Sequence, residues 1–297
     1  MIRPAALKLN SRVGIVAPAN YVSRQEMTMA IQILESWGLQ VVPGKYLYNM
    51  HNQFAGTDKE RTEDLQHMLD DDSIEAIICA RGGYGTIRIV DKLDFSRFLA
   101  HPKWMVGFSD ITVLHCHLQT LGVESIHGIM PLLFPKQTKE TIESLRQVLF
   151  GEPLNYHVTP HPLNRPGECK GPLVGGNLSL FANTIGTASE VDTTGKILFL
   201  EDVDEYLYHL DRMMIHLSRA AKLKDLAGLI VGQFTEVKDN TIAFGLDVNE
   251  IIADLVKDYA FPVCYDFPIG HEIHNLSVIC GREGSLEISR DMVYLSF

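Results

Sequence analysis

Four polar groups in this sequence contain residue types that can take part in chemistry. Each follows an apolar run that is predicted to form a strand: Arg81-Gly82-Gly83, Ser109-Asp110, Glu201-Asp202 and Gly270-His271. In α/β sheets, ligands bind beyond the carboxyl ends of the strands. We therefore expect these four groups to lie near a common site.

Ser109 is the first candidate nucleophile. It follows the apolar run Trp104–Phe108 and precedes a predicted helix, with Gly107 two residues earlier. This layout is typical of a nucleophile elbow, a tight turn that exposes the serine hydroxyl. The usual G-x-S-x-G pattern is incomplete because position 111 is isoleucine. A serine here could instead only cap the following helix, so this segment alone leaves both interpretations open.

A nucleophilic serine needs a base, normally histidine, and a group that orients the base. His271 follows the predicted strand Pro262–Phe267, and Glu201 ends the apolar run Ile197–Leu200, where a buried acid needs a partner. Taken singly, His271 is explained as a loop histidine and Glu201 as a helix cap or an exposed acid. The catalytic hypothesis depends on their occurrence with Ser109 at predicted strand ends, in the order Ser, Glu, His.

Two further patterns bear on cofactors. The segment Arg81–Gly85 lies between a strand and a helix, but it lacks the full G-x-G-x-x-G spacing and a P-loop lysine. Its backbone N–H groups could hold an oxyanion or a carboxylate, or the glycines could only form a tight turn. His115 and His117 diverge on a helix, and His271-Glu272-Ile273-His274 is not H-E-x-x-H. We expect neither a metal nor another cofactor.

The elements that must position these residues alternate between strand and helix in the first half. Capping boxes at Ser23–Glu26 and Thr57–Glu60 predict two helix starts, and a third helix is predicted from the glycine-rich segment to Leu93. Repeated βα units predict a doubly wound α/β fold with a parallel sheet. The predicted strands are Val13–Ala17, Leu39–Val42, Ala76–Ala80, Trp104–Phe108 and Val123–His127.

The composition changes after residue 134, where one amphipathic helix precedes a segment rich in proline. We predict an N-terminal domain over 1–134, a connection over 135–170 and a C-terminal α/β domain over 171–297. The end of the chain is predicted to form antiparallel strands at Ser277–Cys280, Ser285–Ile288 and Val293–Phe297.

Bulk properties narrow the class of protein. The 297 residues carry a net charge of −11 without a basic stripe, which argues against a nucleic-acid partner. Five scattered cysteines without a C-x-x-C pair are typical of a reducing compartment. Neither a signal peptide nor an apolar run of about 18 residues is evident. We expect a cytoplasmic protein that does not contact membranes.

Five segments in order resemble the signature of the LD-carboxypeptidases: Arg81–Gly85, Gly107–Thr112, Gly175–Ser179, Leu200–Asp202 and Gly270-His271. This serine peptidase family includes murein tetrapeptide carboxypeptidases and microcin C self-immunity peptidases. The resemblance covers nearly the whole chain. It implies a Rossmann-like N-terminal domain, a mixed α/β C-terminal domain, a site in the cleft between them, no cofactor, and a homodimer.

The resemblance also implies roles for individual residues. Carried over by position, Ser109 is the nucleophile, His271 is the general base, and Glu201 is the acid that orients it. The backbone N–H groups of Gly83 and Asp110 correspond to the oxyanion hole.

The substrate implied by the resemblance is a cytosolic murein tetrapeptide that loses its terminal D-alanine. Arg81, Gly82 and Tyr84 are expected to bind its terminal carboxylate. One departure is His127-Gly128-Ile129, where the family often has His-Gly-Pro, and it affects the prediction of substrate detail. Two alternatives stay open: an immunity-type peptidase that cleaves aminoacyl-nucleotide conjugates, and a two-domain binding protein without catalytic activity.

Overall fold

The computed structural model describes all residues from Met1 to Phe297, which form thirteen strands and eight α-helices. The strands are β1 (Arg12–Val16), β2 (Gln40–Pro43), β3 (Ala76–Cys79), β4 (Trp104–Gly107), β5 (Ser125–His127), β6 (Asn155–Val158), β7 (Gly167–Asn177), β8 (Ile197–Val203), β9 (Gly228–Thr235), β10 (Val263–Cys264), β11 (Val278–Cys280), β12 (Glu283–Ile288) and β13 (Val293–Ser296). The helices are α1 (Arg24–Ser36), α2 (Asp58–Asp70), α3 (Ser96–Ala100), α4 (Thr112–Thr120), α5 (Lys139–Phe150), α6 (Leu178–Asn183), α7 (Leu207–Arg219) and α8 (Val248–Val256). No helix is long and apolar enough to cross a bilayer.

The first sheet has the strand order β11-β5-β4-β3-β1-β2, and its five strands from the first half of the chain are parallel. The order 2-1-3-4-5 is a common doubly wound arrangement, so the predicted Rossmann-like class is confirmed. All four residues of β3 are buried, as expected for the middle of a parallel sheet. The glycine-rich segment follows β3, and Ser109 follows the neighbouring strand β4.

The three predicted strands at the end of the chain divide between two sheets. β11 pairs antiparallel with β5 at the edge of the first sheet, whereas β12 and β13 pair with each other in the second. An apolar run of three residues can extend any open sheet edge, and the local sequence does not specify which one. The segment that carries His271, between β10 and β11, therefore connects the two sheets.

The second sheet has the order β10-β9-β8-β7-β12-β13-β6 and is mixed. Strands β7 to β10 are parallel, and the other pairs are antiparallel. The long strand β7 joins the two halves, because its first part pairs with β12 and its second part with β8. The predicted connection 135–170 contains the expected helix α5 and also β6, which forms an edge of this sheet.

Local sequence signals account for several element boundaries. Both predicted capping boxes are present, at Ser23 before α1 and at Thr57 before α2. The helix predicted after the glycine-rich segment is wrong, because Thr86–Arg88 and Val90–Lys92 form two short 3₁₀ turns. Four of the seven residues from Thr86 to Lys92 are β-branched, and the restricted χ1 of such residues disfavours an α-helix.

Candidate active site

Ser109 lies at the sharp turn between β4 and α4. Its φ of +61° is in the left-handed region that side chains rarely adopt, and this backbone strain is a property of nucleophile elbows. The interpretation of Ser109 as only a helix cap is not supported, because neither the 3₁₀ turn Ser109–Ile111 nor α4 has a side-chain cap. The glycine at 107 is required, since a Cβ there would lie 2.8 Å from the Ile111 side chain.

Glu201 and His271 form a direct pair. His271 Nδ1 lies 2.7 Å from Glu201 Oε2, the Glu201 side chain is fully buried, and the His271 side chain is 16% exposed. The predicted end of the strand at Leu200 is wrong, because β8 continues to Val203 with an irregularity between Leu200 and Asp202. Glu201 is therefore held inside a strand, where the paired backbone fixes the direction of its side chain.

A glycine gives the His271 segment its conformation. Gly270 has a φ of +147°, and a Cβ there would lie 2.9 Å from the Gln233 carbonyl oxygen. Its backbone N–H donates to Asn275 Oδ1 at 3.2 Å. Gly270 and Gly232 also leave space beside Glu201, because a Cβ on either would lie within 3.4 Å of the Glu201 Cβ.

Ser109 and His271 line one cavity of about 150 Å³, with Arg81, Gly82, Gly83, Phe108, Met130, Leu132 and Leu133. The rings of Phe108 and His271 have their centroids 4.8 Å apart, so the residue before Ser109 packs directly on the His271 imidazole. His271 is hydrogen-bonded to Glu201 and not to Ser109 here, and in unliganded enzymes such bonds often form only with substrate. Larger cavities of about 610 and 560 Å³ include none of these residues.

The charges around His271 favour its protonated form. Burial opposes protonation, but the charge and hydrogen bond of Glu201, with the charges of Asp202 and Glu236, outweigh it and raise the pKa of His271. Burial, followed by the charge of Glu201, raises the pKa of Asp202 to about 7. The site therefore stabilises an imidazolium, the species that a serine hydrolase forms when its base accepts a proton.

The glycine-rich segment lies against Ser109. A Cβ on Gly82 would come within 3.1 Å of Ser109 Oγ, so glycine permits this close approach. Asn20, in the loop after β1, holds the segment by donating its N–H to the Gly82 carbonyl at 3.4 Å and accepting the N–H of Tyr84 at 3.4 Å. Sequence reasoning missed Asn20, although its place after the first strand was a usable signal.

Two buried ionisable side chains hold the far end of the segment. Arg61 is 1% exposed and donates to the carbonyl oxygens of Pro18 and Gly85. Asp110, fully buried, accepts the Thr86 N–H at 2.8 Å, and its burial raises the pKa of its carboxyl group. Sequence reasoning missed Arg61, because a helix sequence does not show which of its charged residues is buried.

The other predicted site residues, Gly83, Asp110, Arg81 and Tyr84, differ in whether they line the cavity and in their hydrogen bonds. The backbone N–H groups of Gly83 and Asp110 donate to no protein acceptor. Arg81 lines the cavity and donates to the Tyr21 carbonyl oxygen at 3.2 Å. Tyr84 is 47% exposed, packs on Phe54 with centroids 6.1 Å apart, and does not line the cavity.

The other histidines near Ser109 have separate surroundings. His115 is buried and contacts the Gly107 carbonyl and Ser125 Oγ, whereas His117 contacts Ser189 Oγ. His127 is fully buried between aromatic rings, and neither of its ring nitrogens has a hydrogen-bond partner. Burial, with the charges of His115 and His271, lowers its pKa well below the usual value, so it is neutral.

Comparison with known proteins adds family and fold evidence. Residues 13–128 match the LD-carboxypeptidase N-terminal domain, and residues 170–286 match the LD-carboxypeptidase C-terminal domain. A probable murein peptide carboxypeptidase of Bacillus subtilis (strain 168) is 38% identical over 96% of this chain and 91% of its own length.

Solved structures show the same architecture. The muramoyltetrapeptide carboxypeptidase from Oxalobacter formigenes superimposes with a TM-score of 0.88 at 28% identity, over 96% of this chain and 98% of that one. A structure of MccF in complex with glutamyl sulfamoyl guanosine superimposes with a TM-score of 0.87, over 99% of this chain and 98% of that one. At 19% identity, the second likeness shows a shared fold alone.

Proposed function

The chain belongs to the LD-carboxypeptidase family and is a serine-type carboxypeptidase, and we propose that it releases terminal D-alanine from murein tetrapeptide. The observation that carries the proposal is the buried Glu201–His271 pair, whose imidazole lines the same cavity as the strained Ser109. A binding protein without catalytic activity would not need an acid–histidine pair beside a strained serine.

In the proposed mechanism, Glu201 holds the proton of His271 on Nδ1, which leaves Nε2 free to act as the base. His271 takes the Ser109 hydroxyl proton as the oxygen attacks the carbonyl carbon of the L,D-peptide bond. His271 then gives this proton to the departing D-alanine amine, and an acyl-enzyme forms. Water, activated by His271, hydrolyses the ester and regenerates Ser109.

The negative charge on the substrate oxygen needs donors during both steps. We propose the Gly83 and Asp110 N–H groups, because neither has another acceptor and both are adjacent to residues that line the cavity. One such donor contributes roughly 3–4 kcal/mol to transition-state stabilisation in other enzymes. The fixed positions of Gly82 and Asp110 would hold these donors without reorganisation.

A carboxypeptidase must also bind the free carboxylate of its substrate. Arg81 is the only permanently charged side chain that lines the cavity, and we propose that it binds this group, aided by Gly82, whereas Tyr84 lies outside the cavity lining. The cavity volume of about 150 Å³ is below the usual range of about 300–1,000 Å³ for drug-sized ligands. This size suits the end of a peptide, with the rest of the tetrapeptide lying outside.

We favour murein peptide over a nucleotide conjugate as the substrate because the Bacillus subtilis relative, at 38% identity, and the Oxalobacter formigenes structure, at 28% identity, have names that refer to murein peptide or muramoyltetrapeptide. The MccF structure has a similar fold, but its sequence is only 19% identical to this chain.

We further propose that the enzyme is a cytoplasmic homodimer that recycles wall peptide. Cell fractionation tests the location, and light scattering on the purified protein tests the dimer.

Mass spectrometry of murein tetrapeptide after incubation with the purified enzyme tests the proposed reaction. We expect the loss of one alanine residue, and no loss with Ser109→Ala, whose fold is verified by circular dichroism. An aminoacyl sulfamoyl nucleotide is the second substrate in the same assay. If the enzyme cleaves this conjugate and leaves the tetrapeptide intact, the murein proposal is rejected. If Ser109→Ala retains activity, the proposed nucleophile is rejected.

A further inference from the structure

The motif Gly175–Ser179 has no role in the mechanism above, yet it lies between the two parts of the site. It forms the end of β7 and the start of α6, and its Asn177 is the register partner of Glu201 on the neighbouring strand. Asn177 is 3% exposed, so its polar groups are directed into the protein.

On one side, the motif contacts the helix that begins just after Ser109. Thr112 is the first residue of α4, and its Oγ1 accepts the Asn177 N–H at 3.0 Å. A Cβ on Gly176 would lie 2.5 Å from this oxygen, and the φ of Gly176 is +137°. Glycine is therefore required here, because any side chain would separate β7 from α4.

On the other side, the motif contacts the residue next to Glu201. Asn177 Nδ2 donates to Asp202 Oδ1 at 2.7 Å, and the Ser179 N–H donates to Asp202 Oδ2 at 2.9 Å. The Val203 N–H donates to the same Oδ1 at 2.8 Å. Asp202 is 3% exposed, and these three donors fix both of its oxygens.

These contacts form a continuous path between the catalytic groups. Thr112 is three residues from Ser109, and Asp202 is directly bonded to Glu201, which holds His271. We propose that Thr112, Asn177 and Asp202 are positioning residues, whose hydrogen bonds join α4 to β7 and β7 to β8 and so set the distance between Ser109 and His271. This inference rests on the proposed function of these two residues.

The positioning role predicts a specific kinetic effect. A misplacement of about 1 Å between reacting groups can reduce the rate by about 100-fold. Arg81 and the cavity walls, which we propose bind the substrate, make none of these hydrogen bonds. Loss of a hydrogen bond in the path should therefore lower kcat and leave KM nearly unchanged.

Thr112→Val removes the hydroxyl with little change in shape, and Thr112→Ser is the matched control that retains it. We expect kcat for D-alanine release to fall by about 10- to 100-fold in Thr112→Val, with KM within about threefold of wild type. Thr112→Ser should retain most of the wild-type kcat. Asp202→Asn places an amide N–H₂ among N–H donors and should reproduce the effect, which provides a second test if Thr112→Val does not fold.

The rate at which a fluorophosphonate labels Ser109 gives a readout that does not depend on the peptide. We expect slower labelling of Thr112→Val and Asp202→Asn than of wild type and Thr112→Ser, at a temperature where melting curves show each variant folded. Wild-type rates of labelling and kcat in both folded variants would overturn the inference, as would equal losses in Thr112→Ser and Thr112→Val. Failure of the wild-type enzyme to label at Ser109 would instead overturn the proposed function.

Discussion

Replacing Glu201 with glutamine removes the negative charge beside His271 and changes the size of the side chain very little. Glu201 is fully buried, and its Oε2 lies 2.7 Å from His271 Nδ1, so water cannot substitute for the lost charge. The variant should bind substrate normally, because Glu201 does not line the cavity. It should fail at the step in which His271 becomes positively charged.

The size of this effect can be worked out from the geometry. At an effective dielectric constant of about 20, two unit charges 2.7 Å apart attract by roughly 6 kcal/mol. Since about 1.4 kcal/mol changes a rate tenfold, the full attraction corresponds to a factor of about 10⁴. The cost of keeping charges away from water offsets part of it, so we expect kcat to fall by about 10²- to 10⁴-fold.

Steady-state release of D-alanine, coupled to D-amino acid oxidase, measures this loss. Glu205→Gln is a suitable control, because Glu205 is a partly exposed acid in the same segment that contacts His209 and not His271. It should retain wild-type kcat. If kcat of a folded Glu201→Gln enzyme stays within about tenfold of wild type, the assignment of Glu201 as the orienting acid is refuted.

Four further predictions follow from the same geometry. The raised pKa of His271 keeps the imidazole protonated to higher pH, so kcat/KM should fall as the pH decreases through this pKa. We expect the acid limb of the pH profile to lie above 6.5, the ordinary pKa of histidine, and a limb below 6.5 would contradict this prediction. The same raised pKa means that protonated His271 stabilises the fold below about pH 6.5, and that this contribution is lost as pH rises through the folded-state pKa. Arg81→Gln should raise KM for tetrapeptide by about tenfold or more with a smaller change in kcat, whereas unchanged KM would exclude Arg81 from carboxylate binding. Gly176→Ala should lower the free energy of unfolding, measured by urea titration, by about 2 kcal/mol or more. Gly186→Ala is the control and should cause a smaller loss, because Gly186 has a φ of +82° but no heavy atom within 4 Å of an added Cβ.

Local sequence patterns were sufficient for features that depend on near neighbours. The capping boxes at Ser23 and Thr57 form as predicted, because each involves residues three apart. The apolar run at β3 is a buried strand, because continuous apolar residues favour burial on both faces. The turn at Ser109 was also indicated, and the structure shows it with a φ of +61°. The missing glycine at position 111 left the role of Ser109 open, and its action as the nucleophile is a proposal.

Contacts between residues distant in sequence were decided by the tertiary structure. The bond between Glu201 and His271 joins residues 70 apart, and the one between Thr112 and Asn177 joins residues 65 apart. Glu201 lies inside β8 because the strands that pair with β8 extend as far as this residue, which the local sequence does not show. The pairing of β11 with β5 depended on which sheet edge was open.

Ser109, Glu201 and His271 could thus be selected from the sequence by residue type, by predicted position after apolar strands and by family resemblance. The distances between these three residues could not be predicted from the sequence, because they depend on how the two sheets pack. That packing is the sum of many contacts between residues distant in sequence. The sequence by itself determined which groups are available for chemistry. Only the tertiary structure decided that His271 shares one cavity with Ser109 and one hydrogen bond with Glu201.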